Sequence, residues 1–325
     1  VDGVLYLADK LTLLAFPGGR SGTFVVPNGV TTIGPYAFAS CRGLQKVTLP
    51  DSLTDLGSWT FLSCPLTNIN FPPSLSSVGS GVFSSTALTR LTLPEGITSI
   101  EDYAFLKSSL RSIHLPSTLT NIGSFAFDAS LSLTNIVIPD SVTSIGIDAF
   151  VDCHSLVHVT LPQGLTEIST RTFFNCFALL NVTIPASVTL IDRSAFGSCS
   201  NLTTIFFEGD APLTSPDAFT GASQSRLYYL PGANGCSSPF AGRSALLWNP
   251  LVTPVGDGTS IVTHRQFTLQ ITGTPSIPIA LQVATNPVSG PWVPFQAFNL
   301  AGGKMLLSDG SQQLHPNRFY RVDHP

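Results

Sequence analysis

Charge is what this sequence has least of. Charged residues make up 10% of its 325 positions, against roughly 25% in an average soluble protein. The net charge is −4, and neither sign gathers into a block, which excludes the basic footprint of a nucleic-acid-binding protein. Long apolar runs are missing as well. No stretch approaches the ~18–20 consecutive apolar residues of a membrane-spanning helix, so no transmembrane segment is expected. No Gly-x-Ser-x-Gly elbow, phosphate-binding loop, Gly-x-Gly-x-x-Gly or His-Glu-x-x-His occurs, so the common nucleophile, nucleotide and zinc-protease signatures are excluded. What is present is 43% apolar and 10% aromatic residues, enough for a sizeable core. Serine and threonine take the surface that Lys and Glu usually occupy, which reads as a secreted or surface protein rather than a cytosolic enzyme. Val1 opens the chain without a Met and is read as the mark of a removed leader.

Self-similarity decides the fold of such a chain. An aliphatic or aromatic residue followed by proline recurs through Pro50, Pro72, Pro94, Pro116, Pro139, Pro162 and Pro185, with Pro27 at the head of the series. A phenylalanine tracks it at Phe38, Phe61, Phe83, Phe105, Phe127, Phe150, Phe173 and Phe196, with an echo at Phe219. A leucine tracks both, from Leu44 to Leu202. Three markers share one period, so the chain holds about eight copies of a 22–23-residue unit. Within a unit, Leu133 to Ile138 reads as a short strand that Pro139 stops, because proline cannot donate to a ladder. Ser141 to Gly146 reads as a second extended piece, with Gly146 suited to a turn. Asp148 to Cys153 is short enough for one or two helical turns, and its Phe150 must enter the core. One unit cannot bury its apolar face alone, so units stack at about 4.8 Å into one parallel sheet and one continuous core.

Residues 136–156 follow Ile-x-Ile-Pro-x-Ser-Val-Thr-x-Ile-Gly-x-x-Ala-Phe-x-x-Cys-x-x-Leu nearly position for position, and the pattern runs through 24–207. This resembles the bacterial-surface-antigen (Treponema pallidum) type of leucine-rich repeat. The resemblance implies a curved solenoid on secreted or surface-anchored bacterial proteins, often adhesins that bind host or matrix molecules; similar arrays occur in certain protists. Thr86, Ser108 and Ser130 replace the cysteine, and Phe173-Phe174 loses the alanine before phenylalanine.

The fold class expected is therefore a leucine-rich-repeat solenoid, β-rich with short helical turns on its outer side, followed by a small all-β sandwich-like module. Residues 1–23 read as an N-terminal capping hairpin, with apolar runs at Val4–Leu7 and Leu11–Phe16. The solenoid covers 24–207 and an atypical C-terminal cap covers 208–250, as terminal repeats usually are atypical. The module covers 251–325, with strands expected at 260–272, 277–285, 292–299, 304–308 and 317–323. Its Trp292-Val293-Pro294 and Asn317 to Val322 stretches resemble C-terminal modules of secreted repeat proteins from environmental bacteria.

The search for chemistry returns mostly periodicity. Cys41, Cys64, Cys153, Cys176 and Cys199 all lie three residues after a repeat phenylalanine, and Cys236 is out of phase. Stacked equivalent positions keep Cβ atoms near the strand spacing, longer than the ~3.5–4.5 Å a disulfide prefers. They read as buried free thiols, with Cys199–Cys236 left open as a pair. No Cys-x-x-Cys spacing supports a metal. The six histidines are scattered; His154 and His158 lie four apart but straddle a strand start, and a surface role is expected. Asp140, Asp148 and Asp152 fall at repeat surface positions where a solvated face is expected. The sequons at Asn181 and Asn201 arise from the repeat itself.

What remains is the outward face of the first strands, since alternate strand residues point away from the core. One outward row reads Lys46, Asn68, Arg90, Ser112, Asn135, His158, Asn181 and Thr204. The next reads Thr48, Asn70, Thr92, His114, Val137, Thr160, Thr183 and Phe206. The face is hydrogen-bond-rich and mildly basic around Lys46, Arg90, Arg111 and His114. Lys46, Asn68, Arg90, Arg111, His114, Asn135 and His158 are the expected binding residues, because solenoids use such extended faces for partners. The leading expectation is a non-catalytic extracellular or cell-surface adhesion protein that recognises a protein or glycan, without cofactor, metal or nucleic acid. The alternative is a structural subunit that self-associates into an extracellular filament or surface layer through exposed sheet edges. An enzyme confined to the C-terminal module finds no nucleophile–base arrangement to support it.

Overall fold

The computed structural model describes residues 3–236, 238–254, 267–288, 290–309 and 319–323. It divides into two compact units, Val1–Ser225 and Arg226–Pro325.

The first unit is a parallel β-solenoid. Among the described residues, nine first strands run from Ser21–Val25 to Thr204–Phe207, and nine two-residue second strands from Thr32–Ile33 to Leu213–Thr214. Neighbouring repeats pair in parallel and in register, as Asn135↔His158 and Ile136↔Val159 do in one ladder and Asn121↔Ser144 in the other. Before them, Leu5–Tyr6 and Thr12–Ala15 form an antiparallel hairpin.

The core is organised by the phenylalanines. Phe38 to Phe219 form a column of nine rings whose centroids are 5.1–5.7 Å apart and whose planes differ by at most 26°. Phe16 extends the column at 4.9 Å from Phe38. Ring stacking thus repeats at nearly the spacing that the backbone ladders impose.

The outer segment is made of successive tight turns in place of a helical turn. The sole helix among the described residues is the single 3-10 turn Ala301–Gly303. From Phe38 to Phe196, the residues two before and two after each phenylalanine of the column adopt left-handed backbone, as Phe125 (φ 56°) and Ala129 (φ 52°) do around Phe127. That alternation aims every second N–H along the array. Phe125 N, Phe127 N and Ala129 N donate to Ile147 O, Ala149 O and Val151 O at 3.0, 2.8 and 2.9 Å. The segment is therefore a third inter-repeat ladder.

Gly146 was expected to suit a turn, but its role is close approach. A Cβ there would lie 2.5 Å from Ser124 N in the preceding repeat. The cysteine position makes a fourth link. Cys153 Sγ donates to Phe127 O at 3.2 Å, Cys176 Sγ to Phe150 O at 3.3 Å and Cys199 Sγ to Phe173 O at 3.1 Å. Ser130 makes the same bond to Phe105 O at 3.0 Å, so a small donor is the requirement there. Burial pushes the Cys153 and Cys176 thiols well up and that of Cys199 to about 12, which keeps them protonated. All six cysteines are buried, and Cys199 forms no disulfide with Cys236.

In the second unit, Arg226–Tyr229 pairs in parallel with Ala245–Leu247. Two three-stranded antiparallel sheets follow. One orders Leu251–Pro254, Phe267–Thr272 and Lys304–Asp309; the other orders Val293–Asn299, Pro278–Ala284 and Phe319–Asp323. Ile279, Leu281 and Val283 alternate into the core with Leu269, Ile271 and Leu307. All five expected strands are present; the expected residues 260–266 and 317–318 lie outside the described residues.

Urea unfolding separates the packing and hydrogen-bond roles. Phe127→Ala is expected to cost about 3–5 kcal/mol, as for other buried aromatics. Cys153→Ala should cost about 1–3 kcal/mol through the unmet carbonyl, and Cys153→Ser, which keeps a donor, below about 1 kcal/mol. Equal losses for the two Cys153 variants would remove the thiol's role as a donor.

Candidate binding face

Register places the expected binding residues side by side. Lys46 lies opposite Asn68, Arg90 opposite Ser112, Thr92 opposite His114, and Asn135 opposite His158. Between them Val47, Leu91, Ile113, Ile136 and Val159 are buried. Lys46, Asn68, Arg90, Arg111, His114, Asn135 and His158 are all exposed, and Ser112 is half-buried. Arg111 sits one residue before its strand, where its carbonyl accepts from Thr134 N at 3.2 Å and Thr134 Oγ1 at 3.3 Å. Arg90 and His114 therefore lie on two adjacent strands, with Arg111 at the entrance to the second. Lys46 stands two repeats away, and Asn135 and His158 form a separate pair further along.

Three residues depart from the expected outward face or solvated surface. Phe206 is 1% exposed rather than outward. Thr204-Ile205-Phe206-Phe207 is a near-continuous apolar run, the pattern of a strand covered on both faces. Asn70 is exposed but occupied, with Nδ2 donating to Leu49 O at 2.9 Å and Oδ1 accepting Leu49 N at 2.8 Å. Its amide substitutes for a missing strand pairing. Asp148, expected on a solvated face, is 1% exposed. It occupies a left-handed turn position, and the equivalent residue of the next repeat, Arg171, covers it. Arg171 Nε lies 2.7 Å from Asp148 Oδ1, and Nη2 donates to Oδ2 at 2.7 Å.

Asp148 belongs to a cluster the sequence did not reveal. Asp152 accepts from Asn175 Nδ2 at 2.7 Å, and His154 Nε2 lies 3.8 Å from Asp152 Oδ1. His154 also stacks on Phe177 at 4.7 Å. Burial, helped by Asp152 and Asp148, raises the Asp128 carboxyl to about 6. Among the described residues no group of three His, Cys, Asp or Glu side chains could hold a metal. A signal was available in the repeat frame, since Asp148 and Arg171 occupy the same column one unit apart.

Two cations outside the expected face, Arg42 and Lys107, line a separate open cleft of about 400 Å³. Spacing alone gave no reason to group them, because they occupy different positions in their repeats.

Residues 15–133 and 120–233 match the family model of the BspA type leucine rich repeat region. Among solved structures, the chain is similar to a leucine-rich repeat protein from Bacteroides ovatus, at 20% identity over 75% of this chain and 79% of that one, with a TM-score of 0.43. It is similar to the T. pallidum leucine rich repeat protein at 26% identity over 61% and 86%, with a TM-score of 0.41. A leucine rich cell surface protein from Faecalibacterium prausnitzii matches at 21% identity over 72% and 95%, with a TM-score of 0.29. None of the curated proteins matches this chain.

The cluster makes two predictions. Asp128 binds its proton more tightly folded than unfolded, so its contribution to stability is complete below the ordinary carboxylate value and is lost as pH rises through about 6. Asp128→Asn should therefore match the parent in thermal melting near pH 3.5 and exceed it at pH 7.5, by about 1 kcal/mol after solvent screening. Arg171→Ala strands the buried Asp148 carboxylate and should cost about 3 kcal/mol, while adding Asp148→Asn should restore part of the loss. A double variant no better than Arg171→Ala would show that the pair is not coupled.

Proposed function

Because the chain belongs to the BspA-type leucine-rich-repeat family, we propose that it is a non-catalytic binding protein of the cell surface or extracellular space. It recognises a protein or glycan through the outward face of its first strands. The carrying observation is the register of that face: Arg90 and His114 are exposed on adjacent strands, with exposed Arg111 immediately before the second of them, above the ladders beneath them. Hydrogen-bonding and cationic groups at fixed spacing on a rigid sheet lose little entropy on binding. Ser112 and Thr92 lie in the same rows as neutral hydrogen-bonding partners. The low charge and abundant Ser and Thr support an extracellular setting, as does the surface role that the repeat resemblance implies. No helix among the described residues is long and apolar enough to cross a membrane.

The test is a panel of immobilised extracellular-matrix proteins and glycans, with light scattering to register self-association. For any ligand bound, replacing Arg90, Arg111 and His114 together by alanine should weaken binding by at least about tenfold, one decade in Kd. Melting should be unchanged, because all three side chains are exposed. Undiminished binding by that triple variant to every captured ligand would sink the strand face as the site.

A further inference from the structure

We propose that the first four repeats carry a second binding site, the open cleft beside the strand face, which takes an anionic polysaccharide through its sulfate or carboxylate groups. The site is independent of the strand-face reading and uses none of its residues.

The open, shallow cleft spans about 400 Å³ between Arg42 and Lys107, with Ser63, Ser85 and Ser109 among its lining. Ser63, Ser85 and Lys107 hold the same place in three successive repeats, each in left-handed backbone at φ 56°, 55° and 53°. Their side chains therefore line up one repeat apart. Arg42 and Ser109 share another place, one residue after the cysteine position. Arg42 and Lys107 belong to repeats three steps apart, about 15 Å at the strand spacing.

Both cations are exposed, and neither forms an ion pair among the described residues. The serine hydroxyls are idle too: those of Ser63, Ser85 and Ser109 make no hydrogen bond there. Hydroxyls at another place in the repeat, such as those of Ser52, Ser141 and Ser187, instead donate to the preceding repeat at 2.8, 2.6 and 2.6 Å. No carboxylate lines the cleft. The lining thus offers cations and hydroxyl donors open to solvent, with no carboxylate among them.

A ligand that satisfies them is extended, negatively charged at intervals and rich in polar oxygen between its charges. A chain of sulfated or uronate sugars has that constitution. A protein partner is anchored by aromatic and large apolar residues in its interface core, and single-stranded nucleic acid by aromatic stacking. The apolar lining here is limited to small groups such as Pro65 and Ala87.

Isothermal titration of the full chain tests this with four probes of matched length: a heparin-derived oligosaccharide, an oligogalacturonate, a neutral dextran oligomer and an oligoglutamate. At least one anionic sugar should bind, more weakly as salt is added, because each neutralised anion releases counterions. Arg42→Ala with Lys107→Ala should weaken that binding at least about tenfold, and Arg42→Gln with Lys107→Gln by a similar factor. Ser63→Ala with Ser85→Ala should weaken it about threefold without altering the salt slope. Arg90→Ala with Arg111→Ala on the strand face should leave it within about twofold, which separates this site from the other. Binding of the sulfated sugar alone, or of the uronate alone, would identify the anion. The proposal is overturned if neither anionic sugar binds, if dextran or oligoglutamate binds as well, or if the cleft variants bind like the parent.

Discussion

In each repeat from Phe38 to Phe173, the phenylalanine N–H and the N–H groups two residues either side donate to the following repeat and not to their own. Together with the two strand ladders, this leaves a repeat unable to satisfy its backbone unless a neighbour is present on each side. The phenylalanine ring is under the same rule, since its faces are covered by the rings before and after it. Backbone and core therefore impose one spacing, and every other feature of the array must fit within about 5 Å of rise. The bonds of the turn ladder also all point one way. Their peptide dipoles add along the array, as they do in a helix, so its two ends are chemically different and each requires its own covering.

The unusual composition follows from that spacing. Threonines and serines donate backwards from one repeat to the carbonyls of the one before: Thr54 to Thr31, Thr98 to Ser76, Thr118 to Ile97, Thr120 to Thr98 and Thr189 to Thr166. A short side chain with one rotatable donor reaches the next rung with little entropy lost, whereas Lys or Gln would have to freeze several torsions to do the same. Abundant hydroxyls and scarce charge are thus the chemistry of inter-repeat rungs as much as of a surface setting. Composition pointed to the second explanation; the geometry supplies the first.

The period, the buried phenylalanine column, the thiol column and five of the six strands of the two C-terminal antiparallel sheets were legible because each rests on a local rule applied many times over. What stayed hidden depends on which repeat is adjacent. Phe206 occupies a position that is polar or Val in the earlier repeats, and the outward alternation fails only where the strand is covered on both faces. Asp148 looks solvated until Arg171, one repeat on, is placed over it. Asn70 reads as one more polar residue of the face until its amide is seen replacing a strand's hydrogen bonds to Leu49. For Asp148 and Asn70 the missing information was a partner roughly one repeat away, which residue type alone does not specify.

In the first repeats, residues 24–115, the two signs of charge are put to different uses, which the net value of −4 conceals. The acids act as rungs. Glu95 accepts from the Ser117 N–H and hydroxyl, Glu101 from those of Ser80, Asp102 from the Ser124 N–H, and Asp217 from the Ser194 hydroxyl. Those bonds hold Glu95 below the usual carboxylate range, as the Thr170 hydroxyl does for Asp192. Arg42, Lys46, Arg90, Lys107 and Arg111 have no such engagement; none makes a side-chain hydrogen bond or ion pair among the described residues. They also fall in one part of the repeat, between the end of the turn segment and the end of the first strand. Asp51, Asp55, Glu95, Glu101 and Asp102 fall beyond the strand, across the proline turn and second strand. Because position within a repeat fixes position around the cross-section, separation in sequence becomes separation in space. Between residues 24 and 115, Glu95, Glu101 and Asp102 bridge repeats on one side, and these five cations stand on the other; further along the array Arg171 is instead paired with Asp148. The ladders do not need those cations, and both proposed sites draw on them.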